Sequence, residues 1–89
     1  MYKDWLQRRL TIEEAETQNM VLDSRIGPKP VPFGFMNEQW KALIARMVEG
    51  DGLWEFRSPA EYWENLCGRE GIALVRNGEV IDAMVTLMN

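Results

Sequence analysis

Gly50 to Thr86, GDGLWEFRSPAEYWENLCGREGIALVRNGEVIDAMVT, is the stretch whose reading decides the fold. Leu53 to Arg57 alternates as a strand does, with Trp54 and Phe56 on one face and Leu53, Glu55 and Arg57 on the other. Ser58-Pro59-Ala60-Glu61 reads as a helix start: serine caps, proline takes the first helical position, and Glu61 is placed to close a capping box. Tyr62, Trp63, Leu66 and Cys67 line one side of that helix and Gly68 stops it, which makes Cys67 a small buried hydrophobe. Asn77-Gly78, between Ile72–Arg76 and Glu79–Leu87, predicts a type I′ hairpin. With a two-residue turn, Arg76 faces Glu79 as a cross-strand ion pair, Val75 faces Val80, Leu74 faces Ile81 and Ala73 faces Asp82. Ile72, Leu74, Ile81, Ala83 and Val85 then share one face, and Ala73, Val75, Val80 and Met84 the other. A sheet apolar on both sides needs cover on both sides.

Upstream, Asn37 is a good N-cap, and Trp40, Leu43, Ile44 and Met47 form the clearest helical stripe in the chain, ending at Gly50 as the residue after the helix. In residues 26–35, IGPKPVPFGF, the alternating Pro28, Pro30 and Pro32 call for an extended backbone. The spacing is not that of a PxxP ligand, and Val31, Phe33 and Phe35 read as anchors pinning a crossing segment onto the core. Residues 2–25 look helical, with Thr11 and Glu14 as a capping box that starts a helix at Ile12. Trp5, Leu6 and Leu10 precede that box on a separate turn or arm, packed on its own domain or laid across a partner subunit.

The sequence therefore predicts one α+β domain over residues 1–89: a helical arm (1–25), a Pro-rich crossing segment (26–36) and an αβαββ core (37–89). Its element order is α-α-β-α-β-β, with a three-stranded antiparallel sheet. The helices at 37–49 and 58–67 are expected on one sheet face; the N-terminal helix, the crossing segment or a second subunit must cover the other.

Composition narrows the function. At 89 residues the chain is near the lower limit for a self-supporting core, and its four tryptophans are a rich supply of both core and binding-surface material. A net charge of −4, with basic residues scattered singly apart from Arg8-Arg9, disfavours nucleic acid and anionic membranes. Residues 1–36 hold five basic and five acidic side chains, and residues 37–89 five and nine, so a basic protein partner would suit the second part. No stretch has the run of a signal peptide or a membrane span, and a lone cysteine forms no internal disulfide, so the expected home is a reducing cytoplasm. Without histidine, and with one cysteine, the chain lacks the usual general base and the usual zinc ligands; no metal or other cofactor is implied.

The run from Gly50 to Val80 resembles short uncharacterised bacterial proteins that share a pattern of this kind. The residues that carry it are Gly50-Asp51, Leu53-Trp54-Glu55-Phe56, Ser58-Pro59, Trp63, Gly68-Arg69, Gly71, Leu74-Val75-Arg76 and Gly78. The resemblance covers about the C-terminal 55 residues, including PFGFMNEQW. It implies a bacterial or phage source and one coherent domain, and it carries over no catalytic residue.

Three function classes remain. An enzyme would draw on carboxylates such as Glu61, Glu64 and Glu70, on lysines, on Tyr2 and Tyr62, or on Cys67, but no spacing among them demands chemistry. A small-ligand site would be walled by Trp54, Phe56, Tyr62 and Trp63, with Arg57 or Arg69 holding an anion; pairing of Arg69 with Glu70 or Glu55 is its commoner fate. A protein-interaction module (a homodimer, an accessory subunit or a small acidic inhibitor or immunity-type protein) fits the size, the acidity, the tryptophans and the two-sided apolar sheet with least strain, with Trp5, Leu6 and Leu10 as the assembly arm.

Overall fold

The protein is described here by a computed structural model covering residues 3–89; Tyr2, counted above among the proton-transfer groups, lies outside the described residues. Strand β1 is Leu6–Leu10 and helix α1 is Ile12–Gln18; the short strands β2, Met20–Val21, and β3, Val31–Pro32, follow. Helix α2, Asn37–Ala45, leads to β4, Gly52–Arg57, the short helix α3, Ala60–Glu64, and the hairpin of β5, Arg69–Arg76, with β6, Glu79–Met88. One antiparallel sheet runs in the order β1-β4-β5-β6, and β2 pairs with β3 in a second, two-stranded one. The class is α+β as the sequence predicts, but the main sheet has four strands rather than three.

The fourth strand comes from the N-terminal segment. Leu6 to Leu10 is not helical: it pairs with β4 at Leu6↔Phe56, Arg8↔Glu55, Arg9↔Trp54 and Leu10↔Leu53. An unpaired edge of β4 leaves a row of backbone donors and acceptors without partners, and pairing outweighs the weak helical preference of so short a stretch. The capping box at Thr11 forms as expected, with the Glu14 amide donating to Thr11 Oγ1 and the Thr11 amide donating to Glu14 Oε1, each at 3.0 Å. The helix it starts is short, because the side-chain amide of Asn19 takes the Ala15 carbonyl at 2.8 Å and the chain turns into β2.

Helix α2 presents Trp40 and Leu43 to the interior and ends at Ala45, short of the predicted Glu49. Its last turns tighten, with the amides of Arg46 and Met47 reaching back three residues, and the Val48 amide donates to Asp51 Oδ2 at 3.0 Å. Asp51 is the reason for the early stop. Its carboxylate, 1% exposed, also receives Arg76 Nε and Nη2, each at 2.9 Å, while Arg76 Nη2 reaches the Arg46 carbonyl at 3.3 Å. This clasp ties the end of α2 to the hairpin. Arg76 is thus paired with Asp51 instead of Glu79, which lies 3.6 Å from Lys3 Nζ.

The hairpin turn is type I′, with φ of 52° at Asn77 and 77° at Gly78. Arg76↔Glu79 and Val75↔Val80 are in the predicted register; beyond them a bulge at Ile81 shifts the ladder to Leu74↔Asp82, Ala73↔Ala83 and Ile72↔Met84. One inserted residue exchanges the faces of everything after it. Met84 therefore enters the core beside Leu53 and Leu74, Ala83 and Val85 move to the opposite face, and Asp82 meets Arg46 at 2.6 Å.

The larger core lies on one sheet face, where Leu53, Ile72, Leu74 and Met84 meet Leu10, Ala15 of α1, Phe33 of the crossing segment, and Trp40 and Leu43 of α2. Trp40 is fully buried, 4.7 Å centroid to centroid from Phe33, and donates its indole N–H to Glu16 at 2.8 Å. Phe33 is the anchor the sequence predicts; Phe35 is not, being 70% exposed with Arg25 over its ring. The opposite face carries Trp5, Phe56 and Ala73, with Tyr62 of α3 packed against them. The two C-terminal helices thus cover opposite faces rather than one.

Two predictions follow from these contacts. A Cβ at Gly71 would stand 2.0 Å from the Met84 carbonyl oxygen, so Gly71→Ala must push β5 and β6 apart. A loss of about 2–4 kcal/mol is expected by urea denaturation, and an unchanged midpoint would show the strands are not this close. Asp51 is held down at about 2 by Arg76 first and the Val48 amide second, so the stability it contributes is complete above its ordinary value near 3.8 and is lost as pH falls toward 2. Asp51→Asn should flatten the decline in melting temperature between pH 4 and pH 2 relative to the unaltered chain.

Candidate functional site

The corner joining β4, α3 and β5 holds most of the predicted site residues, and its local chemistry departs from the helix-start reading. Ser58 is 2% exposed; its hydroxyl accepts the Arg69 amide at 2.9 Å and donates to the Arg69 carbonyl at 3.2 Å. A buried hydroxyl serves the strand-end groups that have no other partner, so the N-cap position passes to Pro59 without a side-chain cap and no Glu61 capping box forms. Helix α3 has five residues, after which Leu66 takes φ of 60° and the Cys67 amide donates back to the Tyr62 carbonyl at 2.8 Å. Cys67 is exposed, not buried as predicted, and Leu66 is 75% exposed.

Trp63 is seated by three contacts. Its indole N–H donates to the Ser58 carbonyl at 3.1 Å, the Arg57 guanidinium lies 4.3 Å from its ring centroid, and Gly68 sits under it where a Cβ would be 2.1 Å from the ring. Asn89 closes the corner: its side chain donates to the Trp63 carbonyl at 2.7 Å and accepts the Gly68 amide at 2.8 Å. Nothing in the sequence pattern points to that pairing, which joins groups 21 and 26 positions apart.

The six predicted binding residues are not brought into one pocket. Phe56 is fully buried core, Tyr62 packs edge-on against Trp5 at 5.2 Å, and Arg57 is paired across the strands with Glu70 at 2.6 Å. Arg69 donates to the Gly68 carbonyl rather than pairing with Glu70 or Glu55; Glu55 is taken by Arg8 at 3.2 Å. A polar cleft of about 370 Å³ includes Gln7, Glu55, Arg57, Glu70 and Thr86 over Phe56, but its charges are already matched in those pairs. Trp54 belongs elsewhere, in a groove of about 330 Å³ at the hairpin end of the sheet.

The proposed assembly arm packs on its own domain in this structure. Trp5 and Leu10 are 9% and 4% exposed, and Leu6 is half-buried against Phe56 and its neighbours. The face it joins is incompletely covered: Trp54, Tyr62, Val75, Val80, Ala83 and Val85 all remain half-exposed. Beyond it, β6 is an edge strand of ten residues whose last six, Ala83 to Met88, carry no charge, with Leu87 and Met88 50% and 59% exposed. The other edge, β1, is five residues long, has a register break between Leu6 and Arg8, and displays Arg8 and Arg9. The open edge was missed from sequence because β6 was read as one arm of a hairpin, with no indication of which strand would lie outermost.

No family model matches the sequence, and no curated protein or solved structure matches the chain. Among the described residues no helix is long and apolar enough to cross a membrane.

The division between core and surface aromatics is testable on one strand. Phe56→Ala should cost about 3–5 kcal/mol by urea denaturation, and Trp54→Ala about 1 kcal/mol or less. Equal losses would mean that the Trp54 face is sealed in the native protein.

Proposed function

We propose that this protein acts as a protein-interaction module, and that its principal partner is a second copy of itself, docked through the outer edge of β6. The observation that carries the reading is the contrast between the two sheet edges. Native proteins blunt an edge with charge, short length or bulges. β1 has all three, whereas β6 from Ala83 to Met88 has none.

A two-fold axis across β6 is self-complementary in the antiparallel sense, so each unmatched backbone group finds its counterpart in the copy. The uncharged stretch keeps the carboxylates of Glu79 and Asp82 away from an axis placed near Val85. That supports like pairing with like in a chain whose net charge is −4. The half-exposed Ala83 and Val85 lie beside the same edge and add apolar area to the contact. Joining the sheets gives eight continuous strands. In this reading the N-terminal arm completes its own sheet and the assembly element is the C-terminal strand.

The test is solution mass by light scattering at roughly 100 µM, where a micromolar interface is filled. The expected mass is that of two chains, falling to one in Leu87→Lys with no change in circular dichroism. A monomer in both would sink the dimer. Pull-down of one stoichiometric host protein by that monomer, lost again in Leu87→Lys, would show that the edge pairs with a different chain.

A further inference from the structure

We infer that the groove at the hairpin end of the sheet is a binding site for an oxyanion carried on a planar ring. This goes beyond the self-association proposed above and lies at the opposite end of β6 from that edge. The groove, about 330 Å³, is lined by Arg9, Gly50, Gly52, Trp54, Val75, Asn77 and Gly78. That volume is in the range of small-ligand sites.

Charge accounting singles it out. Lys3, Arg8, Arg25, Lys41, Arg46, Arg57 and Arg76 are each paired with a carboxylate. Among the described residues Arg9, Lys29 and Arg69 are not, and Arg69 is turned onto the Gly68 carbonyl. Arg9 alone of these lines a groove, and no carboxylate lines it with Arg9. In a chain with fourteen acidic residues and ten basic ones, a guanidinium left without a carboxylate is notable on chemical grounds.

Arg9 is also held in place. It is the cross-strand neighbour of Trp54, and its side chain folds over Gly52, with Nε and Nη2 3.1 and 3.2 Å from where a Cβ would stand. Any side chain at position 52 would crowd the guanidinium. At Gly50 and Gly78 a Cβ would meet nothing within 4 Å, so the walls formed by the two turns are bare backbone and open space.

The remaining polar groups are of one kind. The side-chain N–H groups of Arg9, Trp54 and Asn77 have no acceptor among the described residues, although the indoles of Trp40 and Trp63 each have one. A groove that offers unmatched donors and a half-exposed indole is complementary to an acceptor-rich anion with a flat apolar body. The largest polar cleft nearby does not share this character, because its guanidinium and carboxylates neutralise one another. Two sources supply the required chemistry, an aromatic carboxylate and a nucleoside monophosphate.

Nitrogen–proton correlation spectra of the full chain decide between the outcomes, with benzoate, adenosine monophosphate, inorganic phosphate and neutral benzamide as probes. Saturable shifts of the Trp54 indole, Arg9 Nε–H and Asn77 side-chain signals are expected with benzoate or adenosine monophosphate, and whichever binds more tightly names the source. Inorganic phosphate should bind more weakly than the ring-bearing anions, and benzamide should not saturate. Arg9→Gln, on an exposed strand position, should weaken binding about tenfold or more with an unchanged melting temperature. Trp54→Leu should reduce the preference for the ring-bearing anions over phosphate. No saturable shift up to roughly 10 mM of any anion, equal binding of benzamide, or unaltered binding by Arg9→Gln would each overturn the site. The dimer can fail its own test without affecting this one, since the spectra are read at a different end of the sheet.

Discussion

Everything in this fold depends on β4 being paired on both sides. Gly52–Arg57 accepts β1 along one edge and β5 along the other, and its alternating side chains supply both cores, Leu53 to one face and Phe56 to the opposite one. A six-residue strand cannot be stable as an isolated edge. Once flanked, it fixes where α2 arrives through the Asp51 clasp and where α3 departs through Ser58. Both are buried polar side chains whose partners are backbone groups or a guanidinium, so the two ends of β4 are held by directional bonds while its middle is held by packing.

The two faces of the sheet are not equivalent. On one, two helices and Phe33 seal a core whose largest side chain, Trp40, is fully buried and hydrogen-bonded. On the other, a five-residue helix and one N-terminal turn shield Phe56 and Ala73 but leave a rim of half-exposed apolar side chains. A chain of this length has too few residues to wrap both sides fully. The uncovered part falls beside the uncharged half of β6, and the unmatched Arg9 falls at the far end of the sheet. Both features therefore follow from how a small chain distributes limited cover and limited positive charge. The groove at Arg9 exists because Gly50, Gly52 and Gly78 are needed by turns or by the guanidinium itself, which leaves no side chains to fill the space.

Several elements were legible in the residues because their causes are local. The Thr11–Glu14 capping box, the Trp40-Leu43 stripe, the alternation of Leu53 to Arg57 and the Asn77-Gly78 turn each rest on interactions spanning a few positions, and each is present. What departed from expectation has a non-local cause. Leu6–Leu10 is a strand because β4 offers an edge more than 40 residues away. Ser58 does not cap its helix because Arg69, 11 positions on, needs its hydroxyl. The candidate site was legible in part: Arg57 and Trp63 do meet, but Phe56 turned inward, Arg69 turned aside, and Arg9 was passed over as half of a basic dipeptide.

The amino-acid sequence by itself determined the α+β class, the hairpin turn, the helix starts at Thr11 and near Asn37, and the two-sided apolar sheet, because backbone propensity and side-chain periodicity act over one or two turns of chain. The tertiary structure alone decided the fourth strand, the bulge at Ile81 that exchanged the faces of Ala83, Met84 and Val85, the choice of Asp51 over Glu79 as the partner of Arg76, and which edge of the sheet was left open. Each of those is a competition between partners distant in sequence, settled by which of them burial and geometry bring within hydrogen-bonding reach.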